Sequence, residues 1–382
     1  MTRSALRLAA ELLGPLVLVG LVALVASHLS TSDQTDAINV LVIATIVIGL
    51  YVFIGNSGVI SFGQISFAAV GAFAAGIYTT PLTTRQTTMP HLFGILARPE
   101  LTNVESILLA AGIGALFALL VGLALMRLSG LAAGIATFAV LEITYDILAN
   151  WDKIGPGPTT LASVPVTTGV GQATVGCAVA VVIAFVYQRS RSSRLLRASR
   201  ADALAARGIG VSIVRHRLGA FVLSGAICGF AGALYVHALG SINVTEVYLT
   251  LTFLSLAMLV VGGSQSLWGA TLGGVVLGIL SSFLTNAVNG TTVFGFSFTL
   301  PNGLNTIIFA ALFVGALMLF PRGLARNREF LEKWLGERPP RPGAVLGPPG
   351  GVGAVASAAA GHAGAPATAA KSHATAAAEP KP

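Results

Sequence analysis

The feature that most constrains this chain is a repeated run of about twenty consecutive apolar residues carrying almost no charge. A helix needs about 20 mostly apolar residues to cross the hydrocarbon core of a bilayer, because it rises only about 1.5 Å per residue. Such runs lie at roughly 11–28, 37–54, 62–79, 105–126, 130–149, 171–188, 218–239, 248–263, 266–286 and 302–320. Ten crossings would leave both termini on one side. Only 9% of the residues are charged, against roughly 25% in soluble domains, which excludes a soluble enzyme of this length. The 54% apolar content excludes disorder over most of the chain. The sequence therefore predicts an all-α polytopic membrane protein.

The first span follows Arg3 and Arg7 and so has the outline of a signal peptide. Its apolar run is long for that role, and Ala26-Ser27-His28 is a poor cleavage site, so it reads as a retained helix. The basic residues then set the orientation. Arg3 and Arg7 precede the first span, Arg127 follows the fourth, eight arginines fall between 189 and 217, and eight basic residues run from Arg322 to Lys381. Arg85, Arg98 and Lys153 are on the opposite side, among Asp33, Asp36, Glu100, Glu105, Asp152 and Glu246. The positive-inside rule places both termini and the 189–217 loop in the cytoplasm. The net charge of +8 is thus topological and calls for no nucleic-acid partner.

Two stretches interrupt the apolar pattern in the same order. After the run 40–54 comes Gly55-Asn56-Ser57-Gly58, then Ser61-Phe62-Gly63-Gln64, then a helix of small residues from Ala68. After 249–261 comes Gly262-Gly263-Ser264-Gln265-Ser266, then Leu267-Trp268-Gly269, then small residues from Thr271. Paired interruptions of this kind form a weak internal repeat and point to a transport site near the membrane midplane. Unwound backbone and polar side chains are costly in lipid unless they line a cavity, so Asn56, Ser57, Gln64, Ser264 and Gln265 are candidate pathway groups. Equally, both breaks could be short cytoplasmic turns, since neither carries a charge.

Ionisable residues at membrane depth are expensive and usually face a cavity or a partner. Glu142 and Asp146 lie four apart on one face of the fifth span. Asp146 is close to Trp151-Asp152 and the interface, so Glu142 is the stronger pathway candidate. His237 reads as a hydrogen-bonding residue near a helix end.

The chain has no chemistry of its own. Its only lysines are Lys153, Lys333, Lys371 and Lys381, none behind a Gly-rich phosphate loop, so a site for ATP is absent. There is no metalloprotease motif, and no Ser/His/Asp set within one span. Cys177 and Cys228 sit in apolar runs, without disulfide or zinc spacing. No catalytic residue, metal site or bound cofactor is expected, and an ATPase driving transport would be another polypeptide. An ion-coupled secondary carrier built on the two breaks is the alternative. A membrane enzyme is unsupported by any motif.

The 189–217 loop points to a partner. Leu195 to Arg207 is a good helix former that stops at Gly208 and Gly210. Leu195, Leu196, Leu204 and Ile209 could present an apolar edge to a protein, while the arginines suit anionic lipid. From Gly336 onward the chain is rich in Ala, Pro and Gly and is expected to be a disordered cytoplasmic tail.

Arg200 to Val211, followed by Leu218 to Tyr235, resembles the coupling loop and next helix of the permeases of branched-chain amino acid ATP-binding-cassette (ABC) importers. Further stretches resemble the same family in the same order: Gly49 to Gly76, Gly130 to Trp151, Leu256 to Gly274, and Phe320-Pro321-Arg322-Gly323-Leu324. The resemblance covers about 38–324 and is closer to the M-type than to the H-type subunit. It implies a permease domain over 37–324, which leaves an N-terminal helix and loop over 1–36 and a low-complexity tail over 325–382 that is longer than the family normally has. It also implies a bacterial cytoplasmic-membrane protein that acts with cytoplasmic ATPase subunits, which carry ATP and Mg, a second permease subunit and an extracytoplasmic solute-binding protein. The ATPase-docking positions would be Arg200, Asp202, Ala205, Ala206 and Gly210, with Ala203 standing where the family usually has a glutamate. Glu142 falls on the family's membrane glutamate. The loop from Gly155 to Pro165 departs from the family pattern at several positions. Branched-chain amino acids are the implied solute, with urea and short amides carried by relatives.

Overall fold

The computed structural model describes residues 3–288 apart from 95 and 97–99, with scattered positions between 292 and 318, and side chains from residue 11 onward. The helices are α1 (Arg3–Ala26), α2 (Thr31–Ser57), α3 (Gln64–Thr79), α4 (Leu82–Thr88), α5 (Asn103–Leu125) and α6 (Gly130–Asn150). They continue with α7 (Val170–Arg189), α8 (Arg191–Ala201), α9 (Ala203–Gly208), α10 (Ile213–Leu239), α11 (Leu249–Gly262) and α12 (Leu267–Val288). A 3-10 turn over Val244–Val247 precedes α11. Among the described residues seven helical segments are long and apolar enough to span a membrane, or eight if α3 and α4 form one bent span. The expected tenth span at 302–320 lies largely outside the described residues, and the tail lies wholly outside them. The all-α reading holds apart from a two-residue ladder in which Thr292 pairs with Ser297 and Val293 with Phe296.

Local sequence explains the helix ends. Thr102 and Glu105 form a reciprocal capping box that starts α5 with an acid in its first turn, where the helix dipole favours negative charge. Ser30 caps α2 by accepting the Asp33 N–H. Pro81 drives Thr80 into an extended conformation, which ends α3 and turns the chain through 116° into α4.

The core is organised on α10, which packs against α2, α3 and α5. Close approach rests on glycine. A Cβ at Gly71 of α3 would fall 2.4 Å from the Gly229 carbonyl oxygen of α10, and one at Gly229 would fall 2.5 Å from the Ala110 oxygen of α5. Lipid-embedded helices gain no hydrophobic driving force against one another, so backbone-to-backbone contact at small residues supplies the packing energy. α1 lies against α7 and α12, with Gly14 on the Trp268 ring and Glu11 bonded to Arg189 at 2.9 Å.

Arg85 of α4 is 2% exposed and donates to the carbonyls of Thr80 at 2.7 Å, Leu96 at 3.0 Å and Tyr78 at 3.3 Å. Its cation thus sits at the carbonyl end of α3, where the helix dipole favours positive charge. Arg85→Met should lower stability by about 1.5–3 kcal/mol, the usual contribution of hydrogen bonds from a charged donor to buried carbonyls. A thermal-unfolding series in detergent reads this as a lower Tm.

Candidate functional site

The first break joins α2 to α3 near α8, at the end of the bundle that carries the basic loop. Asn56 Oδ1 accepts from Ser193 Oγ of α8 at 2.7 Å, while Asn56 Nδ2 donates to the Val52 carbonyl. Ser57 Oγ accepts the Val59 N–H. Gly58 ends α2 at φ 70°, with the Arg200 side chain laid across it, and Arg200 Nη1 donates to the Gly55 carbonyl at 3.2 Å. A Cβ at Gly58 would fall 2.6 Å from Arg200 Cδ, so glycine serves both the left-handed turn and the contact.

From Gly58 the chain runs non-helically along α6. The Phe62 N–H donates to Thr137 Oγ1 at 3.2 Å, and Gly63 lies against the Thr137 backbone. α3 has only 16 residues, about 24 Å of rise against a core of about 30 Å, and this irregular segment makes up the difference. Both polar atoms of Gln64, together with Ser61 Oγ and Ser66 Oγ, are buried without a hydrogen-bond partner. Groups of this kind cost about 1–3 kcal/mol each when left unsatisfied and call for a partner such as a water or a solute.

The second break is a turn between α11 and α12, where Gly263 adopts φ 119° and the Ser266 hydroxyl caps the Gly269 N–H at 2.8 Å. Gln265 is exposed at the turn, and Ser264 is half-buried. The two breaks touch: a Cβ at Gly55 would fall 2.6 Å from the Ser264 carbonyl oxygen. Both are therefore connections between helices rather than unwound points within one helix. Asn56 is bonded to α8 and Ser264 lies against Gly55, one residue before Asn56, Gln265 is exposed at the second turn, and Gln64 is buried at the start of α3.

The basic loop folds as two helices rather than the one expected, because Asp202 leaves the helical conformation and its Oδ1 accepts from the N–H groups of Leu204 and Ala205, both at 2.9 Å. Of the docking candidates, Arg200 is turned back onto α2, Asp202 is spent on this cap, and Ala206 is 6% exposed. Ala205 is exposed, and Gly210 is exposed at φ 81°. Leu196 is buried, whereas Leu204 and Ile209 are 79% and 81% exposed and stand out from the loop.

Glu142 lies twelve residues into α6, about 18 Å along it. Its Oε2 accepts from the hydroxyl of Tyr248, whose ring stacks on Tyr145 with centroids 4.1 Å apart. Phe62 joins the same surface, packing edge-on against Phe138 and Phe253 at 6.1 and 6.2 Å. Tyr145, Tyr248 and Thr137 were not singled out from sequence, and for Tyr248 no local signal exists, since it meets Glu142 across 106 residues. His237 behaves as expected, between Ser106 Oγ at 3.0 Å and the Pro165 carbonyl at 3.2 Å. At the opposite end from α8, the 88–91 and 152–159 loops bound a groove of about 310 Å³ that includes His91 and Asp152.

The spans, the paired breaks and the basic loop define a multi-pass membrane protein of the transport class. The family model described as branched-chain amino acid transport system / permease component matches residues 37–320, and the chain belongs to that family. It is 27% identical over 264 residues to the high-affinity branched-chain amino acid transport system permease protein LivM of Escherichia coli, a match covering 60% of this chain and 58% of the relative. The LivM protein of Salmonella typhimurium is 26% identical over 264 residues, with the same coverage of 60% and 58%. The autoinducer 2 import system permease protein LsrC of an Enterobacter species is 28% identical over 236 residues, covering 59% of this chain and 67% of the relative. The chain thus spans 58% of the length of the two LivM proteins. No solved structure matches it. The resemblance drawn from sequence is borne out, and the protein is placed in a bacterial inner membrane.

Proposed function

We propose that the chain is the membrane-spanning permease subunit of an ABC importer and contributes to the path for branched-chain amino acids. A separate cytoplasmic ATPase, carrying ATP and Mg, docks on the 189–217 loop. An extracytoplasmic binding protein delivers the solute to the opposite face, and a second permease subunit completes the path. The observation that carries this reading is the loop itself: α8 is bonded to the end of α2, α9 packs on α8 and α10, and Leu204 and Ile209 project without cover. Movement of a docked ATPase would reach the membrane helices through those bonds. The family match supports an importer over an ion-coupled carrier.

Burying a leucine or isoleucine at an interface contributes about 1.5–3 kcal/mol, so the Leu204→Glu, Ile209→Glu double variant should weaken ATPase binding more than roughly hundredfold. Co-purification of the ATPase from membranes checks this; retention at wild-type levels refutes docking at this loop. Cysteines at Ala203 and Leu204 should crosslink to the ATPase, whereas one at the inward Ala206 should not.

A further inference from the structure

We propose that Glu142, with the rings of Tyr145, Tyr248, Phe62 and Phe253, receives the ammonium group and apolar side chain of an α-amino acid whose carboxylate meets the N-terminus of α3 at Gln64. The proposal rests on the permease reading above and deepens it by naming which groups of the solute are recognised and where.

Four observations lead there. First, Glu142 is a half-buried carboxylate at membrane depth whose partner is a hydroxyl, not a cation. A carboxylate so placed faces a cavity or a partner rather than lipid. Second, the surface around it is aromatic and open. Phe253 is 55% exposed and Phe138 37%, so this chain does not close it. Aromatic faces attract a cation through their quadrupole and bury an aliphatic side chain equally well.

Third, α3 begins two residues after Phe62, which packs on this surface, and both polar atoms of Gln64 with Ser61 Oγ and Ser66 Oγ are buried at that start without a partner. An interrupted helix presents free N–H groups and the positive end of its dipole, which suits a carboxylate. Fourth, the spacing fits. Phe62, two residues before α3, packs edge-on against Phe138, and Phe138 precedes Glu142 by four residues on the same face of α6, an axial separation of about 6 Å. An α-amino acid with a hydrogen bond of about 3 Å at each end is of the length needed to bridge from the start of α3 to that carboxylate. A negative carboxylate at one end and a positive helix terminus at the other match a zwitterion. Neither urea nor a simple amide offers both charges.

The test uses the complete transporter in proteoliposomes, with its ATPases, second permease and binding protein, and radiolabelled leucine, isoleucine and valine as probes. Glu142→Gln should lower ATP-driven uptake about 10- to 100-fold, the equivalent of one lost hydrogen bond to a charged group. Binding-protein-stimulated ATP hydrolysis should stay within about twofold of wild type, because a lost solute contact leaves the motor running. Glu142→Asp should recover some of the uptake, and Gln64→Ala should lower it less. Wild-type uptake by Glu142→Gln overturns the proposal, and so does an equal fall in uptake and hydrolysis, which would make Glu142 a structural group. If Glu142→Gln does not assemble, Phe253→Ala decides. That ring is more than half exposed and its loss should spare the fold, so unchanged uptake in this variant overturns the proposal. A wild-type complex that carries none of the three amino acids overturns the permease reading itself, and the proposal with it.

Discussion

Gly229→Leu is expected to abolish accumulation of folded protein. At this position α10 meets α3 and α5 backbone to backbone. An added Cβ would lie 2.5 Å from the Ala110 oxygen and 3.1 Å from Gly114 Cα, and neither is the movable end of a side chain. Retreat toward α3 is closed as well, since Gly71 already sits against the Gly229 backbone. A single overpacked site typically costs about 1–3 kcal/mol. Leucine here has to push α10 away from both α3 and α5 at once, which should exceed roughly 5 kcal/mol and reach the total stability of many domains. The internal control is Gly219→Leu on the same helix, where nothing lies within 4 Å of the added carbon. Size-exclusion profiles of the two variants in detergent should separate them, with the first aggregated or absent and the second like wild type.

Arg200→Ala should uncouple ATP hydrolysis from transport. Arg200 both donates to the Gly55 carbonyl and covers Gly58, so it fastens the end of α8 to the end of α2. A hydrogen bond from a charged donor contributes about 1.5–3 kcal/mol, and its loss shifts a two-state linkage about 10- to 100-fold. Under the ABC-importer proposal the ATPase would still bind, since Leu204 and Ile209 are unchanged, and would still turn over. The readout is solute imported per ATP hydrolysed, which should fall at least roughly tenfold. An unchanged ratio would show that the force passes elsewhere. Ser193→Ala, which removes the neighbouring bond to Asn56, should have a smaller effect in the same direction.

Much of this architecture was legible because lipid imposes a one-dimensional rule on sequence. Apolar runs of sufficient length become helices, and seven of the ten expected spans meet that rule on their own among the described residues. The run at 62–79 meets it only incompletely, because α3 begins at Gln64 and the residues before it are held by α6. The loop helix was expected over 195–207. It divides at Asp202 because a side-chain carboxylate competes for the N–H groups of Leu204 and Ala205, a local choice that helix propensity does not register. Both breaks were visible as Gly/Ser interruptions, yet only the folded chain brings Gly55 to Ser264. Arg85 was counted among the basic residues of the external side, and its burial against three carbonyls depends on the bend at Pro81. The tyrosine that binds Glu142 is equally a product of folding rather than of spacing.

The meeting of Gly55 with Ser264 has a kinetic consequence. If the two helix connections moved separately, opening would pass through a half-open intermediate and show two relaxation phases. Because their backbones are in contact, neither can move toward the other without displacing it, and under the ABC-importer proposal a coupled pair would make the closed and open forms the two wells of a single barrier. Spectroscopic labels placed beside either connection should then relax with one shared rate constant. The turnover of the transporter would be governed by that one crossing rather than by the slower of two.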